Sequence, residues 1–262
     1  MIVIMKILAV GDVVGRRSIE YLSKTLRRTA ASLGADLVVV NGENASEIHG
    51  LCKADAQALL DAGADLITLG NHAFGSRDLY GFLDDNTDVV IRPANYPAAC
   101  PGVGCTLRRV NGLRVLCMNL SGTAFMEQLD NPFVAADRLL EREKGEYDIA
   151  LLDFHGEATS EKLAMGFHLD GRVQIVFGTH THVPTADTRI LPAGTGYVTD
   201  LGMTGPTNGI LGTDAEAVLY KMRTRMPVRF TVADGPIEAQ AVLFTLEDTK
   251  PHRCVKVERV TF

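Results

Sequence analysis

Residues 35–41 read ADLVVVN, and residues 64–71 read ADLITLGN. Each contains a short unbroken apolar run that ends on polar residues or glycine. Runs of this length and composition fit strands covered on both faces, as in a parallel sheet. Helical patterns flank them, over about 16–33, near 53–62 and near 76–85. KILAV (6–10) precedes the first helix and DVVI (88–91) follows the last. Strands and helices alternating at this spacing form βαβ units, so the first half reads as a mostly parallel α/β sheet.

The second half changes character. VGCTLRRV (103–110) and LRVLCMNL (113–120) flank Asn111-Gly112, a strong two-residue hairpin signal. A helix near 133–143 leads to DIALLDF (148–154), and a further helix to VQIVFG (173–178). From about residue 188 the chain reads mainly as strand, in AEAVLYKMR (215–223), IEAQAVLFTLE (237–247) and CVKVERV (254–260). No internal repeat or low-complexity linker interrupts it. Residues 1–262 therefore read as a single α/β domain of two packed sheets with helices on the outer faces.

Composition bounds the function. A chain of 262 residues with 46% hydrophobic and 22% charged residues builds a sizeable core. A net charge of −6 supplies no basic field for a long nucleic acid. With 6% aromatic residues and no tryptophan, a stacking platform for single strands is not expected either. The apolar N-terminus is interrupted by Lys6 and lacks the pattern of a signal peptide, and Met5 is an alternative start. No stretch is long enough to span a membrane. Five cysteines, odd in number and without CxxC spacing, suggest a reduced, cytoplasmic protein.

The chemistry lies at the strand ends. They finish on Asp12, on Glu43-Asn44, on Asn71-His72, on Asp153 and His155, and on His180 and His182. Ligands of open α/β sheets bind at the carboxyl ends of the strands, so these segments reach one rim. Singly, each has a plain explanation: Asp12 suits a turn and Asn71 a helix cap. Together they assemble carboxylate, amide and imidazole without thiolate, a set that suits iron, manganese or zinc in a catalytic site. A carboxylate such as Glu43 can bridge two ions roughly 3.5–4 Å apart, the spacing used for in-line displacement at phosphorus by a bridging hydroxide. His72 then suits an acid that protonates or steadies the leaving oxygen.

The motifs GDVVG, NGENA, GNHA, DFHGEATSEK and GTHTHVPTAD, with the later DLGMTGP, resemble the YmdB-type branch of the calcineurin-like metallophosphoesterase superfamily over nearly the whole chain. The resemblance implies a four-layer α/β/β/α sandwich and phosphodiesterase activity on small phosphodiesters, 2′,3′-cyclic nucleotides foremost. It implies one metal on Asp12, Glu43, Asn44 and His182, and a second on Glu43, Asn71, His155 and His180, with His72 catalytic. The ions would be iron or manganese, with zinc as the alternative. A phosphomonoesterase or nucleotidase using the same site, or a metal-dependent nucleotide-binding signalling module, are the rival readings. A homo-oligomer is compatible with all of them.

The chain departs from the wider superfamily in three places. Val14 stands where a histidine is usual, Gly42-Glu43-Asn44 replaces an aspartate motif, and Ala73 follows His72 where an acid is usual. Asn44 is expected to fill the first metal's missing position. Of the remaining polar residues, His49 reads as a loop residue near the site, His168 as a packed or capping histidine, and His252 as a surface turn. Glu157 and Glu161 read as a solvated or supporting face, and Arg16 and Arg17 as exposed surface. Arg172, Arg189 and the 200–210 loop are substrate contacts only by their nearness to the motifs.

Overall fold

The computed structural model describes residues 3–46 and 49–262. The first half comprises β1 (Val3–Val10), β2 (Asp12–Val13), α1 (Arg16–Leu33), β3 (Leu37–Asn41), α2 (Lys53–Ala62), β4 (Leu66–Thr68), α3 (Leu79–Asp85) and β5 (Val90–Ile91). There follow β6 (Cys105–Val110), β7 (Leu113–Ser121), α4 (Pro132–Arg142), β8 (Ile149–His155), α5 (Thr159–Leu169) and β9 (Ile175–Thr179). The remainder holds β10 (Arg189–Ile190), β11 (Gly196–Val198), β12 (Met203–Pro206), α6 (Ala215–Thr224), β13 (Ile237–Glu247) and β14 (Cys254–Thr261).

These strands form two mixed sheets among the described residues. One runs β2-β12-β13-β1-β3-β4-β5, with β14 also on β13, and the other runs β10-β11-β9-β8-β7-β6. Side-chain alternation along each central strand assigns the layers. Ile7, Ala9, Leu37 and Val39 face the other sheet, where Val115, Cys117, Ile149, Leu151 and Phe177 meet them. Their neighbours Leu8, Val10, Val38 and Val40 face outward onto Leu22 and Leu26 of α1 and Leu59 of α2. On the far side, Leu116, Ala150 and Leu152 pack under Leu139, Leu140 and Met165 of α4 and α5. The result is the expected α/β/β/α sandwich. Among the described residues, no helix is long and apolar enough to cross a membrane.

Local chemistry explains the elements. Helix α1 buries Ile19, Leu22, Leu26 and Ala30 at helical spacing and ends on left-handed Gly34. Asn111 and Gly112 both take positive φ, 49° and 83°, which makes the β6–β7 turn the predicted tight hairpin. One sequence expectation fails: AEAVLYKMR is the helix α6, not a strand. Asp214 accepts a hydrogen bond from the Ala217 amide at the N-cap (2.9 Å), Glu216 lies in the first turn, and Lys221 and Arg223 lie in the last. Caps and good helix formers outweigh the apolar content.

Because β1, β3 and β4 are parallel, as are β7, β8 and β9, their carboxyl ends open toward one rim. The two rims meet, and the polar strand-end residues lie between them.

Removing the α6 cap provides a check on this assignment. Asp214→Ala should cost about 1 kcal/mol of local helix stability, read as faster amide exchange over 217–221 with little change in the global unfolding midpoint. Unaltered exchange there would contradict the capping role.

Candidate metal centre

Five segments converge at the rim. His155 Nε2, at the end of β8, lies 2.9 Å from Glu43 Oε1, 3.0 Å from Asn71 Oδ1 and 3.0 Å from His180 Nδ1. On the other side of Glu43, His182 Nε2 lies 3.2 Å from Asn44 Nδ2 and 3.7 Å from Asp12 Oδ1, and Asn44 Nδ2 is 3.3 Å from Glu43 Oε1. Glu43 thus stands between two groups of side chains. A Cβ on Gly70 would overlap the Glu43 carboxylate and the His155 ring, so only glycine lets the turn before Asn71 come this close.

The donor set fits a cation. One His155 ring nitrogen faces three atoms able to accept a proton and carries at most one. Asp12 Oδ1 is buried and has no hydrogen-bond partner, an arrangement that is costly without a counter-charge. Burial lifts the Asp12 carboxyl to about 6 despite His182 and His155 nearby. Burial also opposes ionisation of Glu43, but His155 and His72 overcome it and hold the carboxyl at about 2. Burial lowers His155, yet the Glu43, Asp12 and Asp153 carboxylates raise it to about 9. A ligating ring must shed that proton, so metal uptake is linked to proton release. Burial and His155 drive His180 to about 3, leaving it in the neutral form that ligates metals. Glu43, His155 and His180 can each offer a ligand atom within 4.8 Å of the others.

A surrounding set of hydrogen bonds aims these side chains. Thr179 Oγ1 takes His155 Nδ1 at 2.9 Å, and the Leu211 carbonyl accepts from His182 Nδ1 at 3.2 Å, which leaves both Nε2 atoms toward the cluster. Glu157 Oε2 lies 3.1 Å from His180 Nε2. His180 and His182 both have positive φ, 95° and 61°, a conformation that needs outside support. Asp200 provides it, accepting from the Thr181 amide (3.1 Å) and hydroxyl (2.6 Å) and pairing with buried Lys162 Nζ at 2.7 Å.

His72 lines the cleft beside this cluster. Its amide donates to Glu43 Oε2 (3.1 Å), its Nε2 lies 3.2 Å from Asn71 Nδ2, and its ring lies 4.3 Å from that of His49. Asn71 and His49 therefore orient it in place of the acid that Ala73 cannot supply. Burial lowers its pKa.

All eight predicted site residues meet here. His49 is a loop residue that also touches His72. Arg172 is elsewhere, paired with Asp137 at 2.7 Å, and Arg189 lies over Phe167 and Tyr197. His168 binds Asp137 at 3.0 Å, and His252 lies in a turn but is buried rather than at the surface. Arg16 pairs with Asp55 and Arg17 with Asp234. Glu161 is a support, accepting from the Thr123 and Ala124 amides. Sequence reasoning missed Lys162 and Asp200, which carried no signal beyond their places in DFHGEATSEK and DLGMTGP.

Residues 8–260 match the profile of the YmdB-like protein family. The chain belongs to that family. It thereby falls in the YmdB-like branch of the metallophosphoesterases, a branch of hydrolases. It is 43% identical over 256 residues to the 2′,3′-cyclic-nucleotide 2′-phosphodiesterase of Bacillus subtilis (strain 168), covering 98% of this chain and 96% of that one. The crystal structure of a hypothetical protein from Thermus thermophilus superposes with TM-score 0.91 at 40% identity, covering 98% of this chain and 99% of that one. That of a novel phosphatase from Mycoplasma pneumoniae gives 0.93 at 30% identity, covering 100% and 94%.

The buried pair behind the histidine loop yields a second prediction. Lys162→Met strands the Asp200 charge and should cost about 3–5 kcal/mol of stability. Adding Asp200→Asn, which removes that charge, should recover part of the loss. Denaturant titration of both variants checks it, and equal instability of the single and double variants would contradict it.

Proposed function

We propose that the protein is a dinuclear-metal phosphodiesterase acting on small phosphodiesters, 2′,3′-cyclic nucleotides foremost. The observation that carries this reading is Glu43 standing between two sets of metal-competent side chains, with His72 in the adjoining cleft. Asp12, Glu43, Asn44 and His182 would hold one ion, and Glu43, Asn71, His155 and His180 the other. Carboxylate, amide and imidazole favour iron or manganese, with zinc next. Bound there, the ions supply positive charge for the phosphoryl oxygens and acidify water to a pKa near neutrality.

The chain's own residues do the rest. Asn71 and His49 hold His72 at the cleft wall, where its ring assists the departing ribose oxygen in an in-line displacement. The Leu211 carbonyl and Thr179 hydroxyl keep His182 and His155 in the orientation that leaves Nε2 free. The likeness to the Bacillus subtilis phosphodiesterase supports the substrate class. The Mycoplasma pneumoniae likeness keeps a phosphomonoesterase as the second reading. Five free cysteines suit a cytoplasmic enzyme.

Protein purified without chelators should carry about two ions per chain, in keeping with the two-metal arrangement, and hydrolyse 2′,3′-cyclic AMP faster than a nucleoside monophosphate. Glu43→Ala should lose metal and more than ~100-fold in rate, beyond the cost of an outer-shell change. His72→Ala should keep its metal and lose ~10²–10⁴-fold in kcat. Two metals with turnover of monoesters alone would replace the reading with the phosphatase. Absence of metal after reconstitution would sink both.

A further inference from the structure

The cleft of about 560 Å³ over the metal-competent cluster has a second, apolar pole. Val183, Leu211, Val218, Met222 and Phe230 line it, in the same cleft as Glu43, Asn44, His72 and the two histidines of the 178–187 loop. Three of these five are exposed large hydrophobics: Val183 at 54%, Leu211 at 46% and Met222 at 62%. Exposed apolar side chains gathered in a cleft beside metal-competent groups mark a ligand-binding surface.

This wall is tied to the catalytic side. Leu211 sits at φ 55°, a left-handed conformation unusual for leucine, and its carbonyl accepts the hydrogen bond from His182 Nδ1. A Cβ on the next residue, Gly212, would strike Val14 of the cleft floor, so the turn is pressed against the site. Thr213 bridges to Val232, and Arg17 holds the 233–235 segment through the Ala233 and Gly235 carbonyls. The turn, α6 and the 230–235 segment thus form one wall.

The lining also limits the ligand. Among the described residues it contains neither lysine nor arginine, so a second phosphate would find neither of these cations there. Of its two threonines, Thr181 is committed to Asp200 at 2.6 Å, and Thr213 alone offers an uncommitted hydroxyl. We propose that this wall is the nucleobase subsite, and that it receives the base of a nucleotide bearing a single phosphoryl group by apolar packing rather than by reading its edge. The proposal rests on the phosphodiesterase reading for the placement of the phosphoryl group. Selectivity then follows apolar area, with purines ahead of pyrimidines. A pocket of this kind discriminates weakly, so the bases should lie within ~100-fold of one another in kcat/KM.

The test compares 2′,3′-cyclic AMP with glycerol 1,2-cyclic phosphate, a diester without a base, on metal-loaded protein. Met222→Asp, at an exposed position, should lower the ratio of kcat/KM for the nucleotide over the glycerol ester at least tenfold. Tyr220→Asp, on the same helix but outside the cleft, should leave that ratio as in wild type. An unchanged ratio in Met222→Asp, or an equal fall in both variants, overturns the subsite. Calorimetry with adenosine 2′-monophosphate separates this from the fate of the activity itself. If wild type hydrolyses neither diester, the phosphodiesterase reading fails, but a tenfold weaker affinity in Met222→Asp still upholds the base site. Equal affinities, or no binding by wild type, overturn it.

Discussion

A single buried carboxylate holds the two halves of this molecule in register. Asp153 of β8 accepts from Thr179 on its own sheet at 2.7 Å, and from Asn41 and Thr68 of the opposite sheet at 3.0 and 2.5 Å. Asn119 of β7 reinforces the tie, accepting from the Leu69 amide and donating to the Asp153 carbonyl. Apolar contacts between sheets set a spacing but little direction. Hydrogen bonds around a buried acid set both, because leaving any of them unmade is expensive. Burial raises the pKa of Asp153, against the pull of His155 and its hydrogen bonds. It lies two residues before His155, directly beneath the metal-competent cluster.

The rest of the site follows from that junction. Asn41 uses its amide nitrogen on Asp153 and its oxygen on the Glu43 amide, so the sheet contact and the placement of Glu43 are set by one side chain. Thr179 similarly divides itself between Asp153 and His155. Beyond it, the strained His180–His182 turn needs a separate support, which the Lys162–Asp200 pair supplies. The same turn reaches Leu211, so a hydrogen bond joins the metal-competent side of the cleft to its apolar wall. Rigid placement of this kind is what a pair of ions some ångströms apart demands of its ligands.

Much of this was legible in the sequence because it is local. Unbroken apolar runs located β1, β3, β4, β8 and β9, and the polar residues just past them named every member of the cluster. The Asn111-Gly112 turn and α1 declared themselves through positive-φ chemistry and helical spacing. What could not be read is non-local or capped. Asp153 was visible as a strand-end acid, but its partners lie up to 112 residues away. Lys162 looks like a helix-surface residue until Asp200 is found beside it. Helix α6 reads as a strand in sequence because its apolar side chains face the cleft and solvent in no core pattern, while its capping residues carry the true signal. The apolar wall joins residues 183, 211, 222 and 230, which share no periodicity.

Diffraction from crystals of metal-loaded protein, measured on either side of the iron and manganese absorption edges, decides whether Glu43 lies between two metal ions. Two anomalous peaks about 3.5–4 Å apart are expected, flanking the Glu43 carboxylate, one beside Asp12 and His182 and the other beside His155 and His180. A single peak, or peaks away from these side chains, would contradict that placement.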